Sequence, residues 1–323
     1  MKNKVIKISA VLFTIIIVFV LFSQIQLDDL IRTLISIGPW FFLSGLILYM
    51  LSYFFRTLRF HILLNREIEL KNLFNIVCVH NMMNNILPAR TGELSYIYLL
   101  KKHHDIKVGE GIATLLGARL FDFIVVSMFF FASALTSEDL FVSNRTELVW
   151  IIILFFILNV VFLIVLLYFG IPFLNLVSMF FGRIGWQKKQ SVDLILRKGF
   201  EAVKSFEKIK SRSVSFWVFL SSILNIGLNY LLIYIILYGM NIHLPFQKVV
   251  IGATIIMATS LLPIYGIGGF GTTEGVWTLV FVPLGLSLQT AIISGFSYHI
   301  ITWFYFLIAG GYGFICLNGS SKR

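Results

Sequence analysis

Charged side chains lie inside stretches of the chain that are otherwise apolar enough to cross a membrane, namely Arg90, Glu93, Arg119, Asp122 and Glu274. A charge at the centre of a bilayer costs at least about 2.5–3.5 kcal/mol on insertion scales, so such residues face protein or a water-filled cavity. A guanidinium group presents its N–H donors in a planar fork that matches two phosphate oxygens. We therefore expect Arg90 and Arg119 to bind the phosphate of an anionic ligand.

Arg119 and Asp122 are three residues apart, which puts them on the same face of a helix. Either they neutralise each other as a structural pair, or Arg119 faces a cavity and Asp122 holds it toward a lipid phosphate. Three roles are open to the carboxylates of Glu93, Asp122 and Glu274: they orient the arginines, receive a cationic headgroup amine, or bind protons.

Polar residues also crowd around Pro88, with His80, Asn84 and Asn85 before it and charged residues after it. Proline lacks an N–H and disfavours helix at the preceding residue, so backbone groups near residues 84–88 must find protein or water as partners. A polar cavity would satisfy them. The alternative is that Asn84 and Asn85 only cap the broken helix.

A second break is predicted in the glycine-rich run at residues 265–275. Its glycines include Gly266, Gly268, Gly269 and Gly271. Glycine adopts left-handed backbone freely, and successive amides can form an anion-binding nest; a tight turn without a ligand is the alternative. Thr272 or Thr273 is expected to cap a half-helix that begins near Glu274.

His299 is a lone histidine in a later apolar segment, where it either bonds a neighbouring helix or contacts a phosphate. Catalytic-triad patterns, metal-ligand spacings and nucleotide-binding glycine motifs do not occur in the membrane segments. Cys78 and Cys316 have no partners at metal spacing and indicate no disulfide framework. We therefore expect no enzymatic activity, no metal and no cofactor.

The composition of the 323-residue chain is that of an integral membrane protein, with 58% hydrophobic residues, 13% charged residues and a mean hydropathy of +0.91. The length suits a single helical bundle. The net charge of +11 is typical of cytoplasmic loops facing anionic lipid, so nucleic acid is not an expected partner.

Hydropathy predicts an all-α, multi-pass protein with six full transmembrane helices. The predicted spans are residues 6–22, 39–55, 112–135, 149–169, 215–239 and 290–317. Most basic residues fall at the N-terminus and in segments 56–71, 101–107, 183–212 and 322–323, which the positive-inside rule places in the cytoplasm. We expect a protein of the cell membrane with both termini cytoplasmic.

Segments 72–100 and 249–284 are interrupted by proline, glycine and charged groups, and charge parity makes each return to the side it entered. They are predicted to be re-entrant helical hairpins entering from opposite faces, as an inverted repeat would produce. In support, Glu93 precedes Arg119 by 26 residues, and Glu274 precedes His299 by 25.

The chain is read as one transmembrane domain, residues 1–323, with a first half at 1–170 and a second half at 214–323. Between them, segment 171–213 contains a basic amphipathic stretch at 190–211. This stretch is either a helix lying on the inner leaflet or a solvated linker.

Four sequence stretches resemble the lysylphosphatidylglycerol synthase transmembrane family, a flippase-like family that includes the membrane half of the bacterial multiple peptide resistance factor. They are ILPARTGE, GARLFDFIVV, LLPIYGIGGFGTTEG and AIISGFSYHI. The resemblance implies lipid translocation. The chain departs from the family at Ala118, where an acidic residue often precedes the arginine, and at His299, where an arginine is frequent, which implies a weaker cationic lining. The family's soluble aminoacyl-transferring domain is not seen, so synthase activity is not expected.

The leading interpretation is a lipid flippase that moves a phosphate-containing headgroup through a polar cavity at the membrane midplane. The alternative is a membrane-embedded enzyme or an accessory subunit acting on polyprenyl-phosphate-linked sugars. The expected partner is a membrane lipid, either a phospholipid or a polyprenyl phosphate, and self-association into a homo-oligomer is compatible with the sequence.

Overall fold

A computed structural model describes residues 19–87, 91–137, 169–185, 212–259 and 267–320, together with residues 154, 157, 161, 192, 196, 197 and 200. Within these residues the chain forms helices joined by short turns and contains no strand. The helices are α1 (Leu27–Ser36), α2 (Pro39–Leu63), α3 (Leu70–Ile86), α4 (Glu93–His104), α5 (Val108–Leu135), α6 (Arg212–Gly239), α7 (Phe246–Thr259), α8 (Thr272–Phe281) and α9 (Leu288–Ser320). A further apolar helix covers Phe169–Arg183.

Helices α2, α5, α6 and α9 are the four described helices long and apolar enough to cross a membrane. They confirm the spans predicted at 39–55, 112–135, 215–239 and 290–317. The predicted spans 6–22 and 149–169 lie almost entirely outside the described residues, as does most of the amphipathic stretch at 190–211, and they stay predictions. Large apolar side chains cover the outside of the helices, including Trp40 at 81% exposure, as expected of a lipid-facing surface.

Helix α2 is longer than predicted, because it ends at Leu63 and not at Phe55. The extra turns contain Arg56 and Arg59, which the charge pattern assigned to a cytoplasmic segment. Arg59 does not lie in an aqueous loop, because its side chain is 2% exposed within the helical bundle. Two arginines on one face of an apolar helix lower the average hydropathy as the start of a loop would.

Both interrupted segments contain a helix, a break and a second helix. Helix α3 ends at Ile86 and α4 begins at Glu93, while α7 ends at Thr259 and α8 begins at Thr272 after a short 3-10 helix, Ile267–Gly269. Helix α4 folds back onto α3 at Gly92, where a Cβ atom would lie 2.4 Å from backbone atoms of Asn84. Glycine is therefore required where the two helices meet.

Glycines on α9 bring this helix close to α3. A Cβ on Gly310 would lie 2.4 Å from Cβ of Met82, and a Cβ on Gly313 would lie 2.7 Å from the carbonyl oxygen of Asn75. Small residues at a helix crossing let the two backbones approach, which is a main source of attraction between helices in lipid. On the other side of α9, the hydroxyl of Tyr305 donates a hydrogen bond to the Phe42 carbonyl in α2 at 2.7 Å.

Neighbouring glycines on α9 provide a matched test of this packing. We expect Gly310→Ala to lower the free energy of unfolding by about 1–3 kcal/mol, because the new methyl group overlaps Met82. Gly311→Ala should not destabilise the protein, since its added Cβ would meet no described atom within 4 Å beyond the adjacent residues and backbone of its own helix. Melting of the purified variants in detergent measures both effects, and equal melting temperatures would contradict the α3–α9 packing.

Candidate functional site

A polar cavity of about 370 Å³ lies at the centre of the bundle, within the size range of pockets that enclose small organic ligands. Each of the helices α2 to α9 contributes to its lining, whereas the helix Phe169–Arg183 does not. The polar residues in this lining are Tyr49, Ser52, Tyr53, Arg56, Arg59, His80, Asn81, Asn84, Asn85, Glu93, Arg119, Asp122, Asn225, Asn229, Thr273, Tyr298, His299 and Thr302.

Most of the site residues predicted from sequence meet in this cavity. They are His80, Asn84, Asn85, Glu93, Arg119, Asp122 and His299. Glu274 lies behind the lining, where it is fully buried against His299. Arg90 and Gly266 lie outside the described residues. Residues of both interrupted segments, on α3, α4 and α8, thus line one polar space.

Arg119 of α5 forms an ion pair with Glu93, the first residue of α4. The guanidinium donates through Nη2 to Oε1 of the carboxylate. Both side chains face the cavity and are about one-third exposed, at 34% and 29%. The pair connects the first residue of α4 to the middle of α5.

Asp122 pairs with Arg59 of α2, and Arg59 also donates to the hydroxyl of Ser222 in α6 at 3.0 Å. The prediction that Arg119 and Asp122 neutralise each other is therefore wrong, and so is the alternative that Asp122 orients Arg119. Each bonds a residue on another helix. An ion pair between neighbours three apart on a helix contributes only about 0.2–0.5 kcal/mol, so charges on facing helices compete with it successfully here.

Arg56 is a cavity residue that the sequence analysis missed. Its Nη1 atom donates to the Asn81 side-chain oxygen at 2.9 Å, and its buried Nε has no hydrogen-bond partner among the described residues. One signal in the sequence could have found it: Tyr49, Ser52, Arg56 and Arg59 recur at three- and four-residue intervals, which puts them on one helical face.

His80 and the asparagines near the first break have separate roles. Nδ1 of His80 lies 3.3 Å from both the Gly92 carbonyl oxygen and the Ser95 hydroxyl, so this side chain ties α3 to the start of α4. Asn85 donates to the Asn81 carbonyl within α3, whereas the buried side-chain oxygen of Asn84 has no partner among the described residues. Neither asparagine caps the helix, whose C-cap residue is Leu87.

A buried chain of hydrogen bonds connects α8 to α9. The indole N–H of Trp303 is shared between Nε2 of His299 at 3.1 Å and the Gly268 carbonyl oxygen at 3.2 Å. Nδ1 of His299 lies 2.5 Å from Oε1 of Glu274. The second oxygen of Glu274 is buried and has no partner among the described residues. His299 thus bonds a neighbouring helix, as one alternative from the sequence held, and it also lines the cavity.

The glycine-rich run forms a turn in left-handed backbone, as predicted for Gly268, Gly269 and Gly271, whose φ angles are 63°, 78° and 77°. Trp303 packs against Gly268 and donates to its carbonyl oxygen at 3.2 Å. The prediction of a threonine cap is wrong, because α8 begins at Thr272 with Gly271 as N-cap and without a side-chain cap bond.

The pairs Glu93–Arg119 and Glu274–His299 occupy matching places in the fold. In each pair the acidic residue lies in the first turn of the helix after a break, on α4 and on α8. Arg119 lies eleven residues after Val108, where α5 begins, and His299 lies eleven residues after Leu288, where α9 begins. Spacings of 26 and 25 residues in the sequence therefore correspond to equivalent contacts in space.

Comparisons with curated proteins and with solved structures give no match. The family described as "Lysylphosphatidylglycerol synthase TM region" matches residues 7–310, which is most of the chain and includes every residue of the cavity. This agrees with the resemblance of the short motifs around Glu93, Arg119, Glu274 and His299. The chain is a multi-pass membrane protein that belongs to the lysylphosphatidylglycerol synthase transmembrane family.

Proposed function

We propose that this protein is a lipid flippase that moves a phosphate-containing headgroup across the bilayer through the central cavity, and that it is not an enzyme. The observation that carries the proposal is the cavity itself, which collects guanidinium groups, carboxylates and carboxamides deep inside a bundle of apolar helices. Polar groups are retained in such an interior where they form a path for a polar substrate. Membership of a lipid-related membrane family supports a lipid as that substrate.

Depth within the helices favours a path across the membrane. At 1.5 Å per residue, Arg119 and His299 each lie about 16 Å from the start of their helices, close to half the thickness of a hydrocarbon core of about 30 Å. An enzyme acting on a polyprenyl-linked sugar, which is the alternative function, needs its reactive groups at the water interface. Polar groups at mid-depth are what a translocation path requires.

The two interrupted segments are, in our proposal, opposed re-entrant hairpins of an inverted repeat. Support comes from the equivalent contacts Glu93–Arg119 and Glu274–His299 and from the breaks that precede α4 and α8. In transporters of this design, broken helices meet at the midplane and the repeats alternate in opening the site to either side. The arrangement keeps both chain termini in the cytoplasm.

Within this scheme Arg119 contacts the phosphate and Glu93 positions its guanidinium. Arg90 is the second cation of the proposed site. The pair Glu274–His299 occupies the equivalent place in the second half, where the buried carboxylate orients the imidazole. Acyl chains stay in the lipid beside the bundle while the headgroup passes through the cavity.

Removing the charge of Arg119 tests the proposal. We expect Arg119→Gln to stay folded, because a pair that is about one-third exposed contributes only about 1 kcal/mol or less. Transport should fall at least about tenfold, since the phosphate loses its charged partner. Arg119→Lys should be intermediate, because lysine keeps the charge but lacks the fork. The measurement is headgroup accessibility of a fluorescent phospholipid in reconstituted vesicles.

The matched control is Lys71→Gln, which removes one positive charge from an exposed position at the start of α3, away from the cavity. It should transport as the wild type does. Wild-type transport by folded Arg119→Gln would refute the role of Arg119. The flippase proposal would be refuted if vesicles containing the wild-type protein moved none of the phospholipids or polyprenyl phosphates tried faster than protein-free vesicles.

A further inference from the structure

Arg56 differs from the other two arginines in the described lining of the cavity. Arg59 forms an ion pair with Asp122, and Arg119 forms an ion pair with Glu93. Arg56 is half-buried, and its one hydrogen bond in the described part of the chain goes to the neutral side chain of Asn81. A guanidinium in such an interior is stabilised by an anion. Among the described residues of the lining, Arg56 is therefore the arginine best placed to bind an anion.

The remaining polar surface is neutral and rich in carboxamides. Asn81, Asn84 and Asn85 line the cavity from α3, and Asn225 and Asn229 line it from α6. A carboxamide offers both a carbonyl acceptor and N–H donors. This combination suits hydroxyl groups, which also donate and accept, better than it suits an ammonium group, which only donates.

The carboxylates in the lining are not available to a cationic headgroup. Asp122 is bonded to Arg59, and Glu93 is bonded to Arg119. An ammonium group entering the cavity would find both carboxylates already paired with guanidinium groups. It would also be repelled by the positive charge of Arg56. This disfavours headgroups that carry an amine.

We propose that the cavity selects a lipid headgroup made of one phosphodiester and a polyol, such as glycerol, inositol or a sugar. Arg56 binds the phosphate, and the asparagine side chains bind the hydroxyl groups. The assignment rests on the proposed function, because it takes the cavity as the place where the headgroup binds. It adds the substrate class and a phosphate-binding residue on α2.

The test measures binding of dioctanoyl phospholipids to the purified full-length protein in detergent by native mass spectrometry. We expect the phosphatidylglycerol and phosphatidylinositol forms to bind at least about tenfold more tightly than the phosphatidylethanolamine and phosphatidylcholine forms, because only the first two carry a net charge and hydroxyls. Soluble glycerophosphoglycerol should bind far more weakly than the dioctanoyl lipid. Equal affinity would assign the site to a soluble phosphodiester and overturn the lipid assignment.

Two variants separate Arg56 from the rest of the site. Arg56→Gln should lose the preference for the anionic lipids. Asn81→Asp places a carboxylate 2.9 Å from the Arg56 guanidinium without changing side-chain size, so it should fold at least as well as the wild type and also lose the preference. Unchanged selectivity in folded Asn81→Asp would overturn the role of Arg56.

The outcomes distinguish failure of this assignment from failure of the proposed function. If the amine-bearing lipids bind as tightly as the polyol lipids, and Arg119→Gln weakens all of them, the cavity is a headgroup site but the polyol assignment is wrong. If none of the lipids binds, or if Arg119→Gln and Arg56→Gln leave every affinity unchanged, the cavity is not the headgroup site and both proposals fail.

Discussion

Replacing Asp122 with leucine is expected to lower the free energy of unfolding by about 3–5 kcal/mol, one of the largest effects of any single substitution in this protein. The reason is the partner that remains. Arg59 is 2% exposed, and without Asp122 its guanidinium keeps, among the described residues, only the bond to Ser222. Thermal or denaturant unfolding in detergent measures the loss.

The pairing can be tested by removing both charges. Because a buried ion pair can be exchanged for apolar groups at little cost, Arg59→Met combined with Asp122→Leu should recover most of the lost stability. The combination of Arg119→Leu with Asp122→Leu should recover none, since those residues belong to different pairs. The reverse pattern of recovery would show that the helices α2 and α5 are not joined as described.

Gly92→Ala is the second substitution with a large expected effect. Its Cβ would lie 2.4 Å from the N and Cα atoms of Asn84 and from the Met83 carbonyl oxygen. Backbone atoms of a helix cannot move aside as a flexible side chain can, so α4 would have to separate from α3. We expect a loss of at least about 3 kcal/mol, at the upper end of the cost of overpacking. Unfolding in detergent measures it.

Gly111→Ala on α5 is the matched control. Its nearest neighbours would be 3.6 Å away, which is ordinary contact, and alanine favours helix over glycine by about 1 kcal/mol. This variant should be as stable as the wild type or slightly more so. If Gly92→Ala were equally stable, the close approach of α3 and α4 at the break would be wrong.

Much of this fold could be predicted from local features of the chain. Runs of apolar residues locate α2, α5, α6 and α9, because the bilayer demands about 20 such residues per crossing whatever the neighbours are. Pro88 and the glycines at 266–271 locate the breaks before α4 and α8, since the backbone preferences of these residue types act locally. Charges within apolar segments likewise identify Glu93, Arg119 and Asp122 as cavity residues.

The extent of α2 was harder to predict. Hydropathy averages all faces of a helix, so the arginines at 56 and 59 resemble the beginning of an aqueous loop next to Lys71. Only the packing of α5 and α6 against α2 shows that this face is covered and that Arg59 meets Asp122 there. Arg56 was missed for the same reason.

By itself the sequence determined that this is a helical membrane protein, where its long helices and breaks lie, and which charges its interior contains. The tertiary structure alone decided which charges pair. Arg119 bonds Glu93, which is 26 residues away, and not Asp122, which is three away; His299 bonds Glu274 across a similar distance. Hydrophobicity and backbone preference are properties of short segments. The choice of an ionic partner depends on which side chains from separate helices reach the same point in space.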